Sequence, residues 1–225
     1  MTEIADVANR LSNHGERDHF IRSPQGEGHS AAEAFIASST VHTLLNDVVR
    51  ARFPEGTADA ELTGSALRVI AGPRGEGDAW WFHYDASVVT MVVPLFMPDA
   101  GPGVSGELVG FFNKRPFRRF VVVNIVEKVV AQSRFYRWLI LRRLGRKDYG
   151  KIVDMEVGNI YLFWGYRSLH ANMPCHPGSV RATLLLHFGR PHSGSWALTA
   201  ALRLQQKLRN LRQQQPADGL ATASY

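Results

Sequence analysis

The sequence predicts a mainly β fold with flanking helices, of the sandwich, jelly-roll or barrel type. Seven short β-type runs separated by Gly, Pro and Asp turns fill roughly 120 residues from Leu67 onward. Outside and between them lie segments whose apolar residues recur at helical rather than alternating spacing. The 225 residues are 45% hydrophobic, enough for a sizeable core.

The first thirty residues are polar and broken by NHGERD and SPQGEGHS, which reads as a poorly ordered or short helical arm. Residues 31–51 then carry a helical stripe of Phe35, Val41, Leu44, Leu45 and Val48. FPEGTADAELTGS ends that helix. The β runs follow as LRVIAG, AWWFHYD, VVTMVVPLF, GELVGFF, KIVDMEV, NIYLFWGYRSLH and RATLLLHFG, with PDAGPGVSG as a clear loop. A helical insertion at about 116–147 interrupts them, with Val122, Ile125, Val126, Val129 and Val130 in helical register and Trp138, Leu139 and Leu141 beyond. A second amphipathic helix is expected at about 194–214, before a polar tail. These readings place the whole chain, 1–225, in a single domain whose β core spans about 67–191.

Charge is localised. Residues 114–151 hold twelve Lys/Arg against Glu127 and Asp148, a net +10 in a chain of net +6, so the remainder carries −4. Such a basic face suits an anionic small molecule, a membrane surface or an acidic carrier, or is a solvated helix face. No nucleic-acid-binding motif accompanies it, so nucleic acid is not an expected partner. The one cysteine, Cys175, excludes an internal disulfide framework and a Cys-based zinc site. The N-terminus lacks the apolar stretch of a secretory signal, and no apolar run is long enough to span a bilayer. A cytoplasmic location is the resulting expectation.

The chemistry concentrates in His83-Tyr84-Asp85 and, far downstream, His170. On a strand, residues two apart share a face, so His83 and Asp85 can present ligand atoms to one ion. Two histidines and a carboxylate on one face of an octahedron leave three positions open, the arrangement of non-haem Fe(II) oxygenases. An H-x-D pair alone is weak, and His14-Gly-Glu16 competes, but that segment has no strand around it. The second half adds weight: an apolar run ends in His170, and Arg181 and Thr183 share a face of the last run. A guanidinium pairs with a carboxylate in a bidentate fork, and a hydroxyl adds a third bond.

This order (H-x-D, a long middle section, a strand ending in His, then R-x-T) resembles the Fe(II)/2-oxoglutarate-dependent dioxygenase superfamily over about Leu67 to Pro191. The resemblance implies a double-stranded β-helix, or cupin-like jelly roll, with buttressing helices. It implies iron on His83, Asp85 and His170, and 2-oxoglutarate anchored by Arg181 and Thr183. It further implies consumption of O₂ and release of succinate and CO₂ while an unactivated C–H bond is hydroxylated. Halogenating members resemble it but carry Gly or Ala in place of the carboxylate, so Asp85 favours hydroxylation, desaturation or ring closure. The substrate expected is small and anionic. The alternatives are a protein or nucleic-acid substrate, or a cupin-like binding barrel without turnover. Arg181-x-Thr183 weighs against the last.

Overall fold

Each β run of the sequence must bury one face, and the chain does so by sending its strands alternately to two antiparallel sheets. The computed structural model describes residues 18–22, 30–53, 59–70, 79–117, 121–144, 146 and 149–190. The strands are β1 (Asp18–Arg22), β2 (Asp59–Ile70), β3 (Val89–Phe96), β4 (Leu108–Phe111), β5 (Lys151–Val153), β6 (Tyr161–Phe163), β7 (Leu169–Asn172) and β8 (Arg181–Arg190). The larger sheet has the order β1-β2-β8-β3-β6, and the smaller β5-β4-β7. His83 forms an isolated antiparallel bridge with His170, so its segment adds to the free side of β7. In chain order, β2, β3, β6 and β8 enter the large sheet, while the His83 segment, β4, β5 and β7 enter the small one. That interleaved order is the jelly roll, or double-stranded β-helix.

The two-residue period of β8 organises the interior. Ala182, Leu184, Leu186 and Phe188 are buried, and the last three pack with Val89 and Met91 of β3 against the helices α1 (Ser30–Ile36) and α2 (Ser39–Arg52). The alternate residues Arg181, Thr183, Leu185 and His187 face the opposite way. Leu185 joins Val92, Leu108, Met155 and Phe163 in a cluster drawn from both sheets, which places this face between them. On the outer side of the small sheet, Phe82, Val109, Leu169 and Ala171 pack with Ala131 and Ile140 of α3 (Val121–Ala131) and α4 (Arg134–Arg143).

Several elements differ from the sequence reading. The first thirty residues contain a strand, β1, aligned with β2 over five residue pairs. The β core therefore starts before Leu67, and β2 already begins at Asp59. The N-terminal helix is two helices, because Ser38 is extended (φ −61°, ψ 121°). Its core stripe is Ile36, Val41, Leu45 and Val49, while Leu44 is exposed. The run NIYLFWGYRSLH is not one strand. It divides into β6, a 3₁₀ turn at Gly165–Arg167, and β7, as the chain crosses from one sheet to the other. The run AWWFHYD keeps only the bridge at His83, since Trp80 takes φ +62° and breaks a regular ladder. In β3 the register with β8 slips between Pro94 and Phe96, where proline has no N–H to donate. The expected helix at 194–214 lies outside the described residues.

Phe82 is 2% exposed and neighbours the His83 bridge, so its loss leaves a cavity directly behind the site. Phe82→Ala is expected to cost about 3–5 kcal/mol in chemical denaturation. A loss below about 1 kcal/mol would show that this side of the small sheet does not depend on it.

Candidate metal centre

His83, Asp85 and His170 converge. Each offers one ligand atom, and the three atoms lie within 4.8 Å of one another. His83 Nε2 is 3.5 Å from Asp85 Oδ1, and His170 Nε2 is 3.7 Å from Asp85 Oδ2. The backbone brings them together: His83 N–H donates to His170 O and His170 N–H donates to His83 O, both at 3.0 Å. Asp85 is held on the same side because its N–H donates to Gly165 O at 3.2 Å.

The rings are oriented by carbonyls two residues upstream. His83 Nδ1 lies 2.8 Å from Trp81 O, and His170 Nδ1 lies 3.0 Å from Ser168 O. A ring nitrogen facing a carbonyl carries the proton, which leaves each Nε2 lone pair directed at the shared space. The donor set is therefore two neutral imidazoles and one carboxylate, which fits a divalent iron with open positions.

The electrostatics of the metal-free centre follow from burial. Burial favours the neutral acid at Asp85, but His170, His83 and His187 outweigh it and hold the carboxyl well below its ordinary range. Burial lowers the His83 pKa, yet the hydrogen bond and charge of Asp85 prevail and leave it raised. At His170 burial wins over the Asp85 charge and pushes the ring down to about 4.

Four further residues shape the centre. Thr90 Oγ1 donates to Asp85 Oδ2 and fixes the carboxylate rotamer. Behind Thr90, Ser87 Oγ lies 3.1 Å from His187 Nδ1. Gly165 has no room for a side chain: a Cβ there would sit 2.9 Å from Asp85 Cβ and closer still to Thr90 Oγ1. Arg115 lies between the rings of Tyr84 (3.9 Å to the centroid) and Tyr166 (4.3 Å), and its Nη1 donates to Glu127 Oε2 at 3.3 Å. It thereby couples the residue between the two H-x-D ligands to helix α3. Thr90 was visible in the sequence as the lone polar residue of an apolar strand. Gly165 carried no signal, because the run around it reads as unbroken strand.

Arg181 and Thr183 lie on the inward face of β8, 2% and 1% exposed. Arg181 Nη2 donates to Asn172 Oδ1 of β7 at 3.1 Å, so the guanidinium reaches across to the small sheet. Gly106 (φ +74°) makes room for it, since a Cβ there would lie 3.0 Å from Arg181 Nε and 2.7 Å from Cys175 Sγ. Thr183 Oγ1 is buried and has no hydrogen-bond partner among the described residues. A buried hydroxyl in that state is costly. A carboxylate beside the guanidinium supplies the missing acceptor, so the pair fits the distal carboxylate of 2-oxoglutarate. Tyr166 and Ser168 belong to the 3₁₀ turn and its cap rather than to a strand shared with His170. His187 lies outside the metal-binding group and contacts Ser87 behind it.

No protein-family model matches the chain, and no curated protein matches it. It is similar to several solved structures. One is a prolyl-4-hydroxylase from Pseudomonas putida, at 15% identity over 84% of each chain, with a TM-score of 0.45. Another is an oxidoreductase of the 2OG-Fe(II) oxygenase family from Burkholderia pseudomallei, at 10% identity over 86% of this chain and 81% of that one, with a TM-score of 0.41. A third is a prolyl hydroxylase from Trichoplax adhaerens in complex with a hypoxia-inducible factor peptide fragment, at 15% identity over 86% and 81%, with a TM-score of 0.48.

Two predictions follow from the centre's geometry. Thr90→Val keeps the shape and removes the hydroxyl, so divalent-metal affinity should fall about 10–100-fold in a calorimetric titration. Unchanged affinity would remove Thr90 from the support of Asp85. The second concerns the metal-free protein. Unfolded, the His170 ring binds a proton near 6.5; folded, it stays neutral down to about 4. The unfolded state therefore holds more protons between these values, and stability falls as pH drops from 6.5 to 4. His83 has the opposite sign: its contribution is complete below 6.5 and is lost as pH rises through its raised value. Asp85 contributes above its ordinary 3.8 and fails only in stronger acid. Thermal melts of wild type and His170→Asn across pH 4–6.5 read the His170 part, and equal slopes would refute it.

Proposed function

We propose that this protein is an Fe(II)- and 2-oxoglutarate-dependent dioxygenase that hydroxylates an unactivated C–H bond of a small anionic molecule. The observation that carries the reading is the convergence of His83 Nε2, His170 Nε2 and the Asp85 carboxylate on one point of the jelly roll, with Asp85 and His170 buried. When bound there, iron would supply O₂ activation coupled to decarboxylation of 2-oxoglutarate to succinate and CO₂.

The chain's own residues account for the rest. His83 and His170 hold the metal through Nε2, their Nδ1 atoms engaged by Trp81 O and Ser168 O. Asp85 supplies the negative ligand, with Thr90 fixing its orientation. Arg181 and Thr183 hold the distal carboxylate of the cosubstrate in a site from which water is excluded. Lys128, on α3, is half-buried, and the Asp85 charge raises its pKa against the lowering by burial.

The test is an anaerobic titration with Fe(II) and then 2-oxoglutarate, followed by a screen of anionic metabolites for O₂-dependent succinate release. His83→Ala or His170→Ala should weaken Fe(II) binding, and Asp85→Ala should abolish hydroxylation. Wild-type succinate production in all three would overturn the assignment. Arg181→Ala should raise the 2-oxoglutarate requirement by an amount worth about 2–5 kcal/mol while leaving iron binding nearly intact. An unchanged requirement would remove Arg181 from the cosubstrate site.

A further inference from the structure

Helix α3 is built inside out. Its charged residues Glu127 and Lys128 lie on the same side as the buried Ala131: Glu127 is bound to Arg115, and Lys128 is within reach of the Asp85 charge. Four of its valines are exposed to solvent, Val123 40%, Val126 56%, Val129 64% and Val130 50%. After the two-residue turn Gln132–Ser133, α4 continues the surface with Phe135 at 72% and Trp138 at 51% exposed. Phe135 and Trp138 stack at 6.0 Å between centroids, and Arg142 lies 5.3 Å over the Trp138 ring. The sequence reading placed Val126, Val129, Val130 and Trp138 in helical register and named a membrane surface among the partners this basic segment suits. Six large apolar side chains on one exposed helical hairpin form a patch of the kind that marks an interaction surface.

We propose that the α3–α4 hairpin docks this protein on an anionic lipid surface, with the valines, Phe135 and Trp138 entering the interface and the arginines meeting the headgroups. Charge selects this occupant. Arg134, Arg142, Arg143 and Arg146 are exposed around the apolar residues, and the acid of the hairpin, Glu127, is already engaged by Arg115. A second copy of the chain would bring the same cations face to face. Residues 191–225 hold four Lys/Arg against one acid, so that segment is no electrostatic match either. Apolar and aromatic residues flanked by arginine on short helices form an interfacial anchor. None of the described helices is long and apolar enough to cross a membrane, so the attachment is peripheral. The proposal does not depend on the reaction at the iron centre.

The experiment is cosedimentation of the full chain with phosphatidylcholine vesicles, with and without phosphatidylglycerol, at low and high salt. Binding should need phosphatidylglycerol and weaken as salt rises. Arg134→Glu/Arg142→Glu/Arg143→Glu should lower the partition by a hundredfold or more, on the order of tenfold or less for each neutralised charge and further for its reversal. Phe135→Ser/Trp138→Ser should abolish binding at high salt, where the apolar contact is what remains. Circular dichroism and the thermal midpoint check that both variants stay folded, and the composition and salt dependence of the wild type stand without any variant. Absence of binding to phosphatidylglycerol vesicles overturns the proposal. So does a wild-type dimer that Phe135→Ser/Trp138→Ser dissociates, which would make a second copy the occupant. Tight capture of duplex DNA that needs the arginines but not Phe135 or Trp138 would also overturn it.

Discussion

A carboxylate at 7% exposure is costly in a protein interior unless charges and hydrogen bonds replace the water it has lost. Asp85 meets this requirement with three side chains drawn from three places in the chain: His83 two residues away, Thr90 on β3 and His170 on β7. The folded core thus has to bring both sheets together before the charge is compensated. Around it the need propagates outward. Gly165 must lack a side chain so that the turn between the sheets can pass the carboxylate, and Arg115, stacked between the rings of Tyr84 and Tyr166, holds Tyr84 so that the H-x-D segment keeps its course. A metal ion held by the same three side chains would add its own charge opposite Asp85, so the same geometry serves stability without the ion and coordination with it.

Much of the architecture was legible because β strands announce themselves by alternation and by the turn residues between them. β8 shows this most clearly: its buried apolar residues and its inward Arg181 and Thr183 separate cleanly by parity. The His83–Asp85 spacing could be read for the same reason. What could not be read were features set by partners distant in sequence. DHFIR is too short and polar to signal a strand, and it is one because β2 offers it a ladder. NIYLFWGYRSLH reads as one unbroken strand through the point where the chain changes sheets, and nothing in its local pattern marks the crossing. The orientation of the hairpin α3–α4 could not be read for a third reason. Helical periodicity identifies an apolar face but not which way it turns, and here the inward direction was taken by the two charges that Arg115 and Asp85 attract.

The position of β8 has a further consequence. It is a middle strand of the large sheet, laddered to β2 on one side and β3 on the other, and it carries Arg181 and Thr183 on one face and the helix-packing core on the other. Such a strand cannot peel away locally without dissolving both ladders and the helix contacts at once. Its backbone amides should therefore exchange with solvent only through global unfolding, while the loops at the rim open far more often. The face of β8 that carries Arg181 and Thr183 is thus as durable as the protein itself. Faster opening is left to the segments at the rim, which places speed of motion and permanence of geometry in different parts of the chain.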